Sequence, residues 1–177
     1  MVTKLLKFTG LFLLLTTLTG CPGEEDCFDY GSTTRVDDLI KIIPLQTTYN
    51  QGDIVTLKVT IPATNTLFGQ EFNLFEKTGD INARMVTAAR YLFNDNQVTY
   101  LKGSIENYEG GWSNVSYNNV TNDYELEILI KLNRTGYYSF ITNDSFEFQG
   151  STKCNRYRLD TNIEGWNSEG KIEFIVQ

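Results

Sequence analysis

Residues 124–132 read YELEILIKL, a run in which every second residue is apolar. Leu126, Ile128, Ile130 and Leu132 fall on one side, and Glu125, Glu127 and Lys131 on the other. A period of two is the signature of a strand with one face in a core and one in water, and no helix fits it. The same design recurs in DIVTLKVTI (53–61), where Val55, Leu57, Val59 and Ile61 alternate with Thr56, Lys58 and Thr60. Asn50-Gln51-Gly52-Asp53 is a turn signal before that run, and Pro62 closes it. KIEFIVQ (171–177) repeats the pattern with Ile172, Phe174 and Val176 inward. Strand-like runs also occupy EFNLFE (71–76), QVTYLKGSIENY (97–108), GYYSFIT (136–142) and SFEFQG (145–150). Asn, Gly and Asp clusters break them at short intervals, which predicts an all-β chain folded as an antiparallel sandwich. One stretch reads two ways. In DINARMVTAARYLF (80–93), Ile81, Met85, Ala88 and Leu92 have helical spacing with Asp80 as N-cap, whereas 84–93 also reads as a strand, the form favoured by the rest of the chain.

The chain opens differently. Residues 1–20 carry Lys4 and Lys7 ahead of an apolar run through Leu11–Leu15, too short to span a bilayer and shaped as a secretory signal. It ends in Leu18-Thr19-Gly20-Cys21, which resembles the lipobox of bacterial lipoproteins. The resemblance implies cleavage before Cys21, a diacylglycerol on its sulfur and further acylation of the new amino terminus. Several acyl chains together anchor firmly where one alone is marginal. The acidic run Pro22–Asp26 resembles the export signal of surface-exposed lipoproteins of Bacteroidota, and it also suits a solvated tether. The expected location is therefore the outer membrane, lipid-anchored, with display on the outer surface or in the periplasm left open. Residues 21–28 would form the lipidated cysteine and tether, and 29–177 the domain.

With Cys21 lipidated, Cys27 and Cys154 remain. In an oxidising compartment a leftover pair is most simply a disulfide, the alternative being two buried free thiols. Closing so long a loop is worth roughly 4–5 kcal/mol in the chain-entropy account. It would also hold the domain close to the membrane, because residues 21 to 27 reach only about 20 Å when extended.

In NRTGYYSFI (133–141), Gly136 and Tyr138 match the Gly-x-Tyr of immunoglobulin-like domains, where the tyrosine forms a corner at the start of a late strand. TYNQGDIVTLKVTIP (48–62) is similar to the Tyr-x-x-Gly-Asp entry of bacterial Ig-like and cohesin-like modules. Together with the leader, the chain resembles small Ig-like surface lipoproteins of flavobacteria, most of which have no assigned activity. The resemblance implies an antiparallel immunoglobulin-like β-sandwich behind a lipoprotein signal peptide, and it speaks to fold only.

Composition narrows the chemistry. The net charge is −7, and it becomes −9 once the leader's two lysines are lost. Without a basic patch the domain is no candidate for nucleic acid. The absence of histidine excludes Ser-His triads, Cys-His dyads and HExxH zinc sites, and no phosphate loop or cofactor motif is present. A carboxylate pair remains. ELEILIK (125–131) resembles the Glu-x-Asp-x-x-x-Glu strand of laminarinase-type glycosidases, but Glu127 stands for the aspartate and Lys131 for the general acid. That departure favours a non-enzymatic reading over a small carboxylate glycosidase. Glycan contact is the other candidate. Trp112 and Trp166 lie in YEGGWSNVSYNN and IEGWNSEGK, loop-like settings where flat rings and amides suit a sugar, although each could instead plug the core. Asn94-Asp95-Asn96 and Asn119, Asn122, Asp123 offer oxygens to calcium but lack EF-hand spacing, so no metal is expected. The expectation is a binding protein with the membrane as one partner, through its lipid, and a glycan or a surface protein assembly as another.

Overall fold

The computed structural model describes residues 31–94, 96–107, 112–150 and 155–177. The leader, the lipidation of Cys21 and the Cys27–Cys154 disulfide lie outside those residues, as does Asp95. The described strands are β1 (Ser32–Arg35), β2 (Ile40–Ile43), β3 (Thr48–Tyr49), β4 (Ile54–Pro62), β5 (Thr64–Asn65), β6 (Phe72–Asn73), β7 (Asn82–Val86) and β8 (Gln97–Lys102). They continue with β9 (Ser104–Asn107), β10 (Trp112–Asn118), β11 (Asp123–Lys131), β12 (Gly136–Ile141), β13 (Asp144–Gln149), β14 (Arg156–Thr161) and β15 (Lys171–Val176). Helix among the described residues is confined to α1 (Leu74–Thr78) and a 3₁₀ turn, Ala88–Leu92. The chain is all-β.

The YELEILIKL strand is the centre of the larger sheet. β11 pairs β4 antiparallel over its full length, from Asp123↔Pro62 to Lys131↔Ile54, and β2 pairs the far side of β4. Each inward residue read from the alternation is buried: Val55, Leu57, Val59 and Ile61 on β4, and Leu126, Ile128 and Ile130 on β11, followed by Leu132. Each such side chain contributes about 1.5–3 kcal/mol by leaving water. The turn before β4 also forms as read, with Asn50 N–H donating to Asp53 Oδ2 (2.8 Å) and Gly52 at φ 94°.

The other edge of β11 is divided between two strands. Glu127–Lys131 pair with β8, while Asp123–Glu125 pair with β10. β10 then runs on past β11, with β9 along one edge and β7 along the other. The 97–108 run is therefore two strands, because Gly103 turns the chain at the fork with φ 77°. Beyond β7 the sheet continues through β13 and β14 to β1, which is parallel to β14. This wing, β10-β7-β13-β14-β1, makes the sheet ten-stranded and curled.

A second sheet, β12-β15-β3, faces the β4–β11 region. β12 and β15 are antiparallel, and β3 joins β15 in parallel. Its Tyr49, Phe140, Ile172, Phe174 and Val176 share one core cluster with β4 and β11. Tyr138 stacks on Phe174 (centroids 5.0 Å apart), and its hydroxyl donates to the carbonyl of Arg134 at 2.9 Å. Asn96 ties this corner to the 3₁₀ turn: its amide donates to Leu92 O (2.8 Å) and its Oδ1 accepts from Asn133 N (2.8 Å). The two parallel pairings depart from the purely antiparallel arrangement expected.

Two local readings are corrected. EFNLFE is strand only at Phe72–Asn73. Asn73 Oδ1 then caps the Glu76 amide at 3.0 Å, and Gly79 at φ 66° ends a single helical turn. In 80–93, Asp80 caps no helix; its Oδ1 accepts from Asn82 N at 3.0 Å. Asn82–Val86 is strand and 88–92 is helical, so of the 84–93 run only Arg84–Val86 is strand.

The 3₁₀ turn is held from β13. Asp144 is buried, its Oδ1 accepts from Ala88 N at 2.9 Å, and among the described residues its Oδ2 has no hydrogen-bond partner. Burial pushes its carboxyl above the ordinary value, against the pull of the Thr87 hydroxyl and the Ala88 amide. The folded state thus binds this proton more tightly than the unfolded chain, so the group's contribution to stability is lost as pH rises above about 3.8. Asp144→Asn removes that dependence and keeps the acceptor for Ala88. Thermal melts at pH 4 and 7 are expected to show the variant gaining on the native protein at the higher pH, and a constant difference would contradict the assignment.

Candidate functional site

On the wing, alternate residues face inward. Ala83, Met85, Val115, Phe146, Phe148 and Leu159 are all buried. The residues between them form the outer face, and the register aligns them in rows. Asn114 lies opposite Arg84, Arg84 opposite Glu147, Glu147 opposite Arg158, and Arg158 opposite Thr33. On the far side Asn114 pairs with Ser104 of β9 and donates to its hydroxyl at 3.2 Å.

This row is tied together by charge. Glu147 receives Arg158 Nη1 on Oε1 (3.4 Å) and Arg84 Nη1 on Oε2 (3.9 Å), so two guanidinium groups flank one carboxylate. Arg158 Nε also donates to Asp160 Oδ1 at 2.7 Å. Glu147 is only 8% exposed, whereas the two arginine side chains retain about a third of their exposure. Trp112 belongs to the adjoining row. The Arg84 guanidinium sits 3.8 Å from the centroid of its ring, a cation–π contact that orients the indole on the sheet face. An indole, two guanidinium groups, a carboxylate and an amide thus line up across four strands. Planar polar groups around a flat ring can engage both the hydroxyls and the apolar face of a sugar.

Trp166 is elsewhere, in the connection between β14 and β15. It is 44% exposed and packs over Gly170. The structure therefore does not join the two tryptophans into one site; Trp112 alone has polar company on a sheet. Sequence reading missed Arg84, Glu147 and Arg158. The only trace was a charge flanked by apolar residues, as in ARM (83–85), FEF (146–148) and YRL (157–159), and nothing in that pattern says that β7, β13 and β14 are neighbours.

The β11 carboxylates are matched to lysines. Glu127 lies opposite Lys58 on β4 and Lys102 on β8. Glu125 accepts from Lys102 Nζ (2.6 Å) and Asn118 Nδ2 (2.8 Å), and these bonds hold its carboxyl below the usual value. A general acid needs the opposite shift. Two of the residues considered for calcium are engaged within the fold. Asn96 braces the corner described above, and Asn122, at φ 59°, accepts from the Tyr117 hydroxyl at 3.0 Å. Among the described residues no group of three or more acidic or thiol side chains is placed to hold a metal ion. No helix among them is long and apolar enough to cross a membrane.

Comparison with protein-family models, with curated proteins and with solved structures found nothing that matches this chain.

Proposed function

We propose that this protein is a non-enzymatic binding module of the cell envelope, which takes an oligosaccharide on the outer face of its wing. The observation that carries this reading is the Asn114–Arg84–Glu147–Arg158 row with Trp112 packed on Arg84. Salt bridges within the row keep the polar groups ordered before a ligand arrives, which lowers the entropy cost of binding. A lipid on Cys21 would hold the module on the outer membrane, and a Cys27–Cys154 disulfide would tie the tether to the body. The cysteine arithmetic and the lipobox resemblance support both.

We read the fold as an immunoglobulin-like sandwich carrying an insertion. β2-β4-β11-β8 forms one layer and β3-β15-β12 the other, and Tyr138 makes the corner bond to Arg134 O that such domains use. The wing is then additional to the sandwich, built from segments between its strands together with β1 ahead of the first, and this is where an elaborated fold carries its site. A carboxylate glycosidase is the poorer reading, because Glu125 is held ionised and Glu127 faces lysines.

The test uses Trp166→Phe, which leaves Trp112 as the single tryptophan reporter. Titration with a panel of neutral and acidic oligosaccharides is expected to give a saturable change in its emission, with no products released. Arg84→Ala is expected to weaken binding about tenfold or more, as loss of an anchoring contact does. Silence across the panel, or binding indifferent to Arg84→Ala, would reject the wing as the site; released products would reject the non-enzymatic reading.

A further inference from the structure

Among the described residues β12 has a strand partner, β15, on one edge only. The direction of its free groups follows from β15, whose Ile175 and Gln177 amides donate to Thr47 and Tyr49 carbonyls on the β3 side. Alternate residues of a strand point to opposite edges, so Phe174 and Val176 face β12 and are met there by Tyr138 and Gly136. The N–H and C=O groups of Tyr137, Ser139 and Ile141 therefore point to the open edge. Among the described residues none of them has a backbone partner there. Among the described residues the edge opens on a groove of about 270 Å³ that runs along residues 134–140, with Tyr91 and Asn94 on its other side.

Exposed edges are normally guarded by charge, proline or a bulge. The outer strands of the large sheet follow that rule, with Lys41 on β2 ahead of Pro44, and Arg35 on β1. β12 does not. Its sequence is GYYSFI, with no charge and no proline, and Tyr137 and Ile141 are 65% and 60% exposed on its outer face. The Tyr137 and Ser139 hydroxyls both donate to Glu173 on β15, which fixes their side chains on that face.

We propose that this edge pairs with the same edge of a second copy, antiparallel about a two-fold axis through Ser139. In that register Ser139 meets its own counterpart, and Tyr137 meets Ile141 in both directions. Every unpaired N–H and C=O of the three residues then finds its complement. The outer-face pairs are aromatic against β-branched, a favourable cross-strand match, and Tyr138 meets Phe140 on the inner face. Charge selects a copy of this chain over a charged peptide. The chain carries −7, so two copies repel over most of their surfaces and least along a neutral strip. β12 itself carries no charge to draw an acidic or a basic strand. A strand-to-strand contact of this length buries little surface, which makes the dimer a reversible one.

Sedimentation equilibrium of the purified protein tests this. The average mass is expected to rise from monomer toward dimer as concentration goes from the micromolar to the millimolar range. Ser139→Pro deletes an amide that faces the open edge and not β15, so it spares the sheet while blocking the pairing. Ser139→Lys sets two like charges directly opposite each other. Each is expected to raise the dimer dissociation constant at least tenfold, with circular dichroism unchanged, whereas Val120→Lys, at an 88% exposed turn position, leaves it as it was. Amide exchange in the native protein reads the interface without any variant: Tyr137, Ser139 and Ile141 are expected to slow with concentration. A chain that stays monomeric throughout, a dimer that survives both Ser139 variants, or exchange at these three amides that ignores concentration would each overturn the proposal.

Discussion

Gly103→Ala is expected to lose a large part of the protein's stability. Gly103 occupies the fork where β8 gives way to β9, with φ 77°, and a Cβ there would overlap both the Asn114 carbonyl oxygen and the Leu126 side chain. The left-handed backbone costs an alanine about 1–2 kcal/mol. Forcing a methyl group into filled space adds about 1–3 kcal/mol. Neither obstacle relaxes easily, since one is backbone in β10 and the other is a fully buried leucine of β11. The combined loss, on the order of 2–5 kcal/mol, compares with a total stability of about 5–15 kcal/mol for a typical domain. Gly69 separates the two causes, because it has φ 91° with nothing within 4 Å of an added Cβ. Urea unfolding is expected to give Gly69→Ala only the backbone cost. Equal losses at the two positions would mean that the fork is not closed by packing.

Tyr124 is the second position where a large effect is expected. Its ring is fully buried against Phe148 (edge-on, 4.9 Å) and Tyr117 (5.4 Å), and its hydroxyl donates to the Asp80 carbonyl at 2.7 Å. Burial pushes the phenol far above its ordinary value, so it stays a donor at any ordinary pH. Asp80 is in turn bound to the Gln149 amide through Oδ2 (2.8 Å), so one hydroxyl helps to hold β11 and β13 around the 79–82 turn. Tyr124→Ala is expected to cost about 3–5 kcal/mol, the range for deleting a large buried aromatic. Tyr124→Phe keeps the ring and strands the carbonyl, at about 1–3 kcal/mol. Denaturant midpoints for the pair check this, and a Phe variant as stable as the native protein would show that the hydroxyl bond contributes nothing.

The difference between those two sites and the outer-face row separates two kinds of information. What alternation determines was in the sequence: YELEILIKL, DIVTLKVTI and KIEFIVQ are strands, and every residue assigned inward on them is buried. A run with period two can bury one face in no other way, so local pattern and packing agree whatever the neighbours are. The turn at 50–53 was equally readable, since Asn, Gly and Asp close it with their own side chains and backbone.

Where another cue competed with the pattern, alternation did not decide. EFNLFE alternates well enough for a strand, yet the Asn73 cap and the left-handed Gly79 turn it into a helix. In 80–93 the spacing of Ile81, Met85, Ala88 and Leu92 mimics a helix, but Ile81 is 61% exposed while Ala83 and Met85 are buried, because β7 is a strand paired between β10 and β13. SFEFQG shows little alternation in burial, since on the outer face Glu147 is enclosed between the Arg84 and Arg158 side chains.

Strand order is the information that a single chain read end to end does not contain. Glu147 meets Arg84 from 63 positions away and Arg158 across a hairpin, and only the register of β7, β13 and β14 makes them a row. Likewise GYYSFI reads as an ordinary strand, and only the end of the second sheet makes it an edge. The sequence by itself determined which residues are strand and which of their faces go inward, because those depend on neighbours two positions away. The fold alone decided which strands lie side by side, and with them the fork at Gly103, the charged row and the open edge, because pairing is settled by contacts between residues far apart in the chain.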